Sequence, residues 1–317
     1  MPRDLRGFLK LLEERGQLRR ITASVSPDLE VAEIANRLLL AGGPALLFEN
    51  VQGSDIPLAI NVMGTVERVC WAMNMDHPDQ LEQLGEKLAL LYQLRPPKQL
   101  SQAVNLGKAL FDVIKAKPQR DLLPPCQQVV LKGDDVDLTQ LPLLRVYTGD
   151  AGKVVTLGIM VTKDPETKIP NVGVYRLQLQ SKNTMTVQWL SVRGCSRHLR
   201  KAAERGEKLE VAIAIGVDPL LIMAAATPLP IDLSEWLFAG LYAGQGVHLA
   251  KCKTLDLEMP ANAEFILEGT ITPGETAVDG PAGDHIGYYG GVNEAAPLLR
   301  FHCLTHRKQP VYMTTFS

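Results

Sequence analysis

The stretch AVDGPAGDHIGYYGG, residues 277 to 291, sets two aspartates, Asp279 and Asp284, among glycine, proline and small residues. His285 follows directly, then Tyr288 and Tyr289. Two carboxylates delivered to one pocket can divide acid and base work when their surroundings differ. Their odd separation would place them on opposite sides of a strand, so the reading requires a loop, which GPAG supplies. The plain alternative is a solvated turn, because Asp and Gly are standard turn residues.

Other segments offer partners. In NVGVYRLQL, a strand would place Asn171, Gly173 and Tyr175 on one face and Val172, Val174 and Arg176 on the other. An arginine beside valines is costly unless paired, and Asp279 or Asp284 would pair it. Otherwise it is a surface arginine. Glu235, in DLSEWLFAG, stands in the first turn of a predicted helix, where the dipole favours acids. Set beside an amide oxygen, it would also suit a hard divalent ion. Trp189 and Arg193, in VQWLSVRG, could flank a flat phosphorylated ligand, or be a core tryptophan and a surface arginine. His77, His248, His302 and His306 lack metal-ligand spacing, and His198 reads as a solvated residue of a basic amphipathic helix. Neither GxGxxG before a helix nor GxxxxGK[ST] occurs.

The elements that would hold these groups fall in two parts. The first alternates helix and strand. LRGFLKLLEERG is an amphipathic helix. SPDLEVAEIANRLLLAGG is a helix with Ser26 as cap and Gly42–Gly43 as stop, and ALLFEN and PLAINVMG are strands. PDQLEQLGEKLALLYQL predicts another helix. Proline-rich breaks place a boundary between about 95 and 125. Beyond it the period shortens toward two. VVTLGIMV, NVGVYRLQL, TMTVQWL, LEVAIAIG, HLAKCKTLDLEMP, AEFILEGTIT and PLLRFHCLTH form a strand series, interrupted by the helices SRHLRKAAERG and DLSEWLFAGLYAG, the latter with Asp232 or Ser234 as cap. The fold class expected is α+β: an N-terminal α/β domain over 1–118, then a β-barrel over 119–317. QPVYMTTFS is strand-like with no turn or cap after it, which points to a shortened chain.

With 317 residues, 46% hydrophobic and 21% charged, the chain can bury a large core. A net charge of -2 gives no reason to expect nucleic acid as a partner. Five scattered cysteines fit a reducing cytoplasm better than a disulfide framework or zinc.

Taken together, LRGFLKLLEERGQLRRI, AGGPALLFENV, PCQQVVLKGDDVDLTQLP, NVGVYRLQL, LFAGLYAG, KCKTLDLEMPANAEFILEG and GPAGDHIGYY resemble the UbiD family of reversible decarboxylases, along the whole chain and in the family's order. The likeness is strongest to the 4-hydroxy-3-polyprenylbenzoate decarboxylase branch. The resemblance implies a flavin-reductase-like split β-barrel and prenylated FMN as cofactor. A divalent metal, usually Mn2+, and a monovalent cation such as K+ would accompany it. It implies Asn171 and Glu235 as metal ligands and Asp284 as proton donor, with Arg176 and Asp279 completing an acid–arginine–acid network. Val174, Tyr175 and Arg176, then Gln188, Trp189 and Leu190, with Arg193 and Gly194 behind, would contact the cofactor.

Two positions depart from the pattern. Asp279 stands where relatives carry glutamate, so its carboxylate is expected to draw back from Arg176. Val192 stands where near relatives have histidine. Relatives also continue into a further domain, which this chain is expected to lack. Implied partners are an aromatic acid, further copies of the full-length chain, and a flavin prenyltransferase supplying cofactor. A polyprenyl substrate would bring the cytoplasmic protein to a membrane surface. The rival readings are a non-catalytic flavin-binding remnant, a decarboxylase of a small phenolic acid, and a flavin oxidoreductase, which would need no acid network.

Overall fold

A computed structural model of the chain describes residues 4–80, 114–189, 194–229, 234–284 and 286–316. The helix expected over 78–94 falls almost wholly outside these residues, as does part of the boundary expected between 95 and 125.

Helix α1, Leu5–Glu14, is capped by Asp4, whose Oδ1 accepts the Gly7 N–H at 2.8 Å. Leu5, Phe8, Leu9 and Leu12 recur at helical spacing and are buried. Strand β1 is Leu18–Ile21 and α2 is Glu30–Leu40. The second helix begins one turn later than Ser26 predicts. Arg145 pairs with the Asp28 carboxylate at 2.6 Å, and its carbonyl accepts the Leu29 N–H at 2.9 Å. These long-range contacts hold residues 27–29 out of the helix. Strands β2, Ala45–Phe48, and β3, Leu58–Ile60, are fully buried. Helix α3, Val66–Ala72, was not anticipated.

The second part runs β4 Gln119–Arg120, β5 Val129–Lys132, β6 Val154–Lys163, β7 Pro170–Ser181, β8 Thr184–Val187, α4 Gly194–Glu204, β9 Leu209–Ile215, α5 Pro219–Ala226 and α6 Glu235–Ala243. It continues with β10 His248–Lys251, β11 Glu258–Pro260, β12 Phe265–Asp279, β13 Ala282–Gly283, β14 Tyr289–Gly290, β15 Asn293–His306 and β16 Tyr312–Met313. Strands β12, β9, β6, β7, β8 and β15 pair in that order, all antiparallel, and β15 pairs back onto β12. The result is a closed six-stranded barrel, with β5 added along β15. Along β9, Val211, Ile213 and Ile215 belong to one apolar cluster, and Ala212 and Ala214 to the other. Helix α4 packs on β12, β6 and β9, α5 on β6 and β7, and α6 on α5 and β7.

Two expectations change here. HLAKCKTLDLEMP does not enter the barrel; β10 and β11 pair with each other and with β4 in a separate sheet. Asp279 is not a loop residue but the last residue of the long strand β12.

The first sheet runs β1-β2-β3-β16, so the last strand of the chain lies parallel to β3. A buried charge cluster holds this return. Glu264 has no exposed side-chain surface. It accepts two hydrogen bonds from Arg6, both at 2.8 Å, and one from the Val311 N–H at 3.1 Å. Arg307 lies 3.4 Å from Glu264 and reaches Asp4 at 2.9 Å. Removing Arg6 takes away both of its hydrogen bonds and leaves the buried Glu264 carboxylate only Arg307 and the Val311 N–H. Arg6→Met should therefore cost about 3 kcal/mol in denaturant unfolding. Lys10→Met, which breaks only an exposed pair with Glu14, should cost less than about 1 kcal/mol.

Candidate active site

Strand β7 supplies the first group. Arg176 donates through Nη2 to Gln188 Oε1 at 2.8 Å and to Asp279 Oδ1. Asp279 is fully buried; its second oxygen accepts from Thr186 Oγ1 at 2.5 Å. The strand's period of two continues the theme. Gln178 Oε1 accepts the Gly280 N–H at 2.9 Å, and Gln180 Nε2 donates to the Val278 carbonyl at 2.8 Å. Three alternate side chains of β7 thus fix residues 278–280. Asp279 does not draw back: the shorter carboxylate reaches Arg176. Arg176 Nη1 is buried and has no hydrogen-bond partner among the described residues.

The second group faces a cavity of about 570 Å³. Asn171, Val174 and Tyr175 of β7 line it, with Gly194 at the head of α4 and Glu235 at the head of α6. Asn171 Nδ2 donates to Cys195 Sγ at 3.2 Å. A Cβ on Gly194 would lie 1.7 Å from Asn171 Oδ1, so a larger residue there would have to displace this amide. Burial pushes the Glu235 carboxyl up to about 7, while hydrogen bonds with its own N–H and that of Val172 pull it down. Arg197 and the first turn of α4 line one end of the cavity and suit an anion, while Lys201 beside them is paired with Asp164 at 2.9 Å.

The third group is a hairpin. Strand β13 pairs with β14, and Asp284 opens the turn between them. Its N–H donates to the Tyr288 carbonyl at 2.9 Å, and its Oδ1 accepts the Ile286 N–H at 3.2 Å. Asp284 is half-buried, while Ile286, Tyr288 and Tyr289 are exposed.

The structure therefore brings Arg176, Gln188 and Asp279 into one hydrogen-bonded set, and Asn171, Val174, Tyr175, Gly194 and Glu235 around one cavity. Trp189 packs edge-on against Tyr175, with ring centroids 6.0 Å apart. Leu190, Val192, Arg193, Asp232 and His285 lie outside the described residues. Ser234 is the N-cap residue of α6, without a side-chain hydrogen bond. His198 is not solvated. It is buried, lines the cavity, and meets Thr162 Oγ1 at 2.8 Å through Nδ1. Burial holds it down at about 4, despite Asp164; Arg197 and Lys201 add to the lowering. Thr186, Arg197 and Lys201 were missed. Period two would have found Thr186, which shares a strand face with Gln188.

Among the described residues, no group of three or more His, Cys, Asp or Glu side chains is placed to hold a metal ion, and no helix is long and apolar enough to cross a membrane.

Residues 118–317 match the family model for the 3-octaprenyl-4-hydroxybenzoate carboxy-lyase Rift-related domain, and residues 9–88 match that enzyme's N-terminal domain. An uncharacterized protein of Synechocystis sp. is 74% identical over all 317 residues, which span 63% of its length. Among solved structures, the chain is similar to an evolved dimeric form of the UbiD-class enzyme HmfF from Pelotomaculum thermopropionicum in complex with prFMN. The TM-score is 0.86 at 30% identity, covering 99% of this chain and 68% of that one. It is also similar to vanillic acid decarboxylase from Sedimentibacter hydroxybenzoicus in closed form, with a TM-score of 0.85 at 28% identity, covering 100% and 64%.

Gly194→Ala should cost roughly 1–3 kcal/mol, the usual penalty of overpacking. Adding Asn171→Ala should remove most of that cost, a coupling visible in a double-mutant unfolding cycle. For His198, the unfolded chain takes up the proton near pH 6.5 and the folded chain only near 4. Stability should therefore fall as pH drops through that window, with a slope of up to about 1.4 kcal/mol per pH unit. His198→Gln should flatten that slope in unfolding measured from pH 7 to 4.

Proposed function

The chain belongs to the UbiD family, and on that premise we propose that it carries out non-oxidative, prenylated-FMN-dependent decarboxylation of an aromatic acid. We favour 4-hydroxy-3-polyprenylbenzoate, in quinone biosynthesis, as substrate, in keeping with the description of the matched family. One observation carries the reading. Asn171, Val174, Tyr175, Gly194 and Glu235, all implicated in cofactor or metal binding by resemblance, line a single cavity.

The residues fit the implied groups. The half-buried Glu235 carboxyl, raised to about 7 by burial, lies at the same cavity as the Asn171 amide. A cation beside it would offset that burial, and both are oxygen-bearing side chains suited to a hard ion such as Mn2+. Such an ion, held by Asn171 and Glu235, would offset the charge of a bound phosphate, with K+ as the accompanying monovalent cation. Arg197 and the head of α4 would receive the phosphate. Arg176 Nη1, without a hydrogen-bond partner among the described residues, would suit an acceptor on the bound group.

Loss of carbon dioxide leaves an electron pair on a ring carbon, which no side chain can accept. When bound, the prenylated flavin would supply that sink. The chain's own part is positional and protonic. Asp279 and Gln188 orient Arg176 through Nη2, and its Nη1 would hold an anionic oxygen of the bound group. Asp284 would deliver a proton to the ring carbon that carbon dioxide leaves. The long apolar tail of the substrate would bring the protein to a membrane surface. The full-length protein would act as a homo-oligomer, with its cofactor made by a flavin prenyltransferase.

In the cofactor-loaded full-length protein, Asp284→Asn should lower carbon dioxide release roughly 100-fold or more. Deuterium incorporation from D2O into the ring should fall with it, while the flavin absorbance is kept. Turnover equal to the unaltered protein would remove Asp284 from the mechanism. Glu235→Ala should emerge from gel filtration without flavin absorbance; retained flavin would reject its role in holding the cofactor.

A further inference from the structure

The hairpin bearing Asp284 is clamped by a segment far away in sequence. Asp150 Oδ2 accepts the N–H groups of Val146 at 3.1 Å and Tyr147 at 2.8 Å. Its Oδ1 accepts the N–H of Gly283, the residue before Asp284, at 2.7 Å. One carboxylate thus ties a bend at 146–150 to β13. Three neighbouring contacts run in parallel. Ala151 N–H donates to the Pro281 carbonyl at 2.9 Å, and Gly149 N–H donates to Tyr289 Oη at 2.9 Å. The Tyr147 and Tyr289 rings meet edge-on, with centroids 6.4 Å apart. Gly283 lies flat on Tyr147, so that a Cβ there would come 2.1 Å from the ring. Burial, and then the charges of Asp150, Asp284 and Tyr289, push the Tyr147 hydroxyl up, which puts the Asp284 carboxylate within electrostatic range of this ring.

We propose that Asp150 is a positioning residue for Asp284: by holding β13 against residues 146–151, it fixes where the proton donor stands. Backbone hydrogen bonds to an ionised carboxylate are stronger than neutral ones. Three on one side chain make a stiff joint without a covalent link. Displacing a reacting group by about 1 Å can cost on the order of 100-fold in rate. The consequence for turnover rests on the decarboxylase reading; the clamp itself does not.

Asp150→Asn keeps the shape but turns one acceptor oxygen into a donor, so one arm of the joint is lost. Gly283→Ala attacks the same joint from the other side, by lifting β13 off Tyr147. In the holoprotein, hydrogen–deuterium exchange of residues 281–290 should accelerate roughly tenfold in either variant, with β6, β7 and β9 still protected. The kcat should fall roughly 10- to 100-fold, with KM changed less than about twofold and flavin absorbance intact. Unchanged hairpin exchange in both variants would overturn the positioning role, whatever the activity. Faster exchange with undiminished kcat would overturn it as well. Faster exchange in a protein whose unaltered form releases no carbon dioxide would support the joint and count against the decarboxylase reading instead.

Discussion

A buried carboxylate with no exposed surface is the most expensive group at this site, and the arrangement around it follows from satisfying it. Asp279 is fully buried and is matched by Arg176 and Thr186. Desolvating such a pair costs several kcal/mol per ion, repaid only with good geometry and further hydrogen bonds. Gln188 steadies the guanidinium, and Gln178 and Gln180 anchor the residues on either side of Asp279. The set is built on strands, so its geometry inherits the stiffness of the barrel.

Strand β7 does two jobs along its length. Its first half, Asn171 to Tyr175, lines the cavity; its second half, Arg176 to Gln180, holds the end of β12. A displacement of β7 would disturb both together. Helices α5 and α6 press on this strand from outside, and α6 brings Glu235 to the cavity. The cavity at one half of β7 and the Arg176–Asp279 pair at the other are thereby kept at a fixed separation by one backbone.

What the sequence disclosed followed from periodicity. The β6, β7, β8 and β9 strands lie on the predicted runs, as do the first half of β12 and most of β15, while β12 runs on to Asp279 beyond its predicted run; the two faces of β7 fall as its parity requires. The helices at Leu5 and Glu235 were legible from spacing, and α4 likewise. The failures have local causes. Residues 27–29 look like a first helical turn, but Arg145 captures them. The strands β10 and β11 alternate like barrel strands, and pattern alone cannot say which sheet a strand joins. His198 sits among basic residues, yet its ring turns inward to Thr162. Tertiary contacts decide each of these, and none leaves a mark in the neighbouring sequence. The grouping of Asn171 with Glu235 came from resemblance rather than spacing, since 63 intervening positions carry no geometric signal.

The same reasoning explains why an aspartate suffices at 279. Strand β12 does not run straight to its end. Its register against β15 shifts between Ile271 and Thr276, and again between Ala277 and Asp279. Such irregularities bend a strand and raise its twist. With residues 278 and 280 fastened to β7 by Gln180 and Gln178, the missing methylene of a glutamate is not needed to reach Arg176. The two acids are then mounted separately. Asp279 is fixed by the barrel wall, and Asp284 stands on a hairpin held by residues 146–151. Four residues of sequence thus separate two carboxylates with different neighbours and different solvent access. Acid and base roles can be divided between such groups only when their surroundings differ.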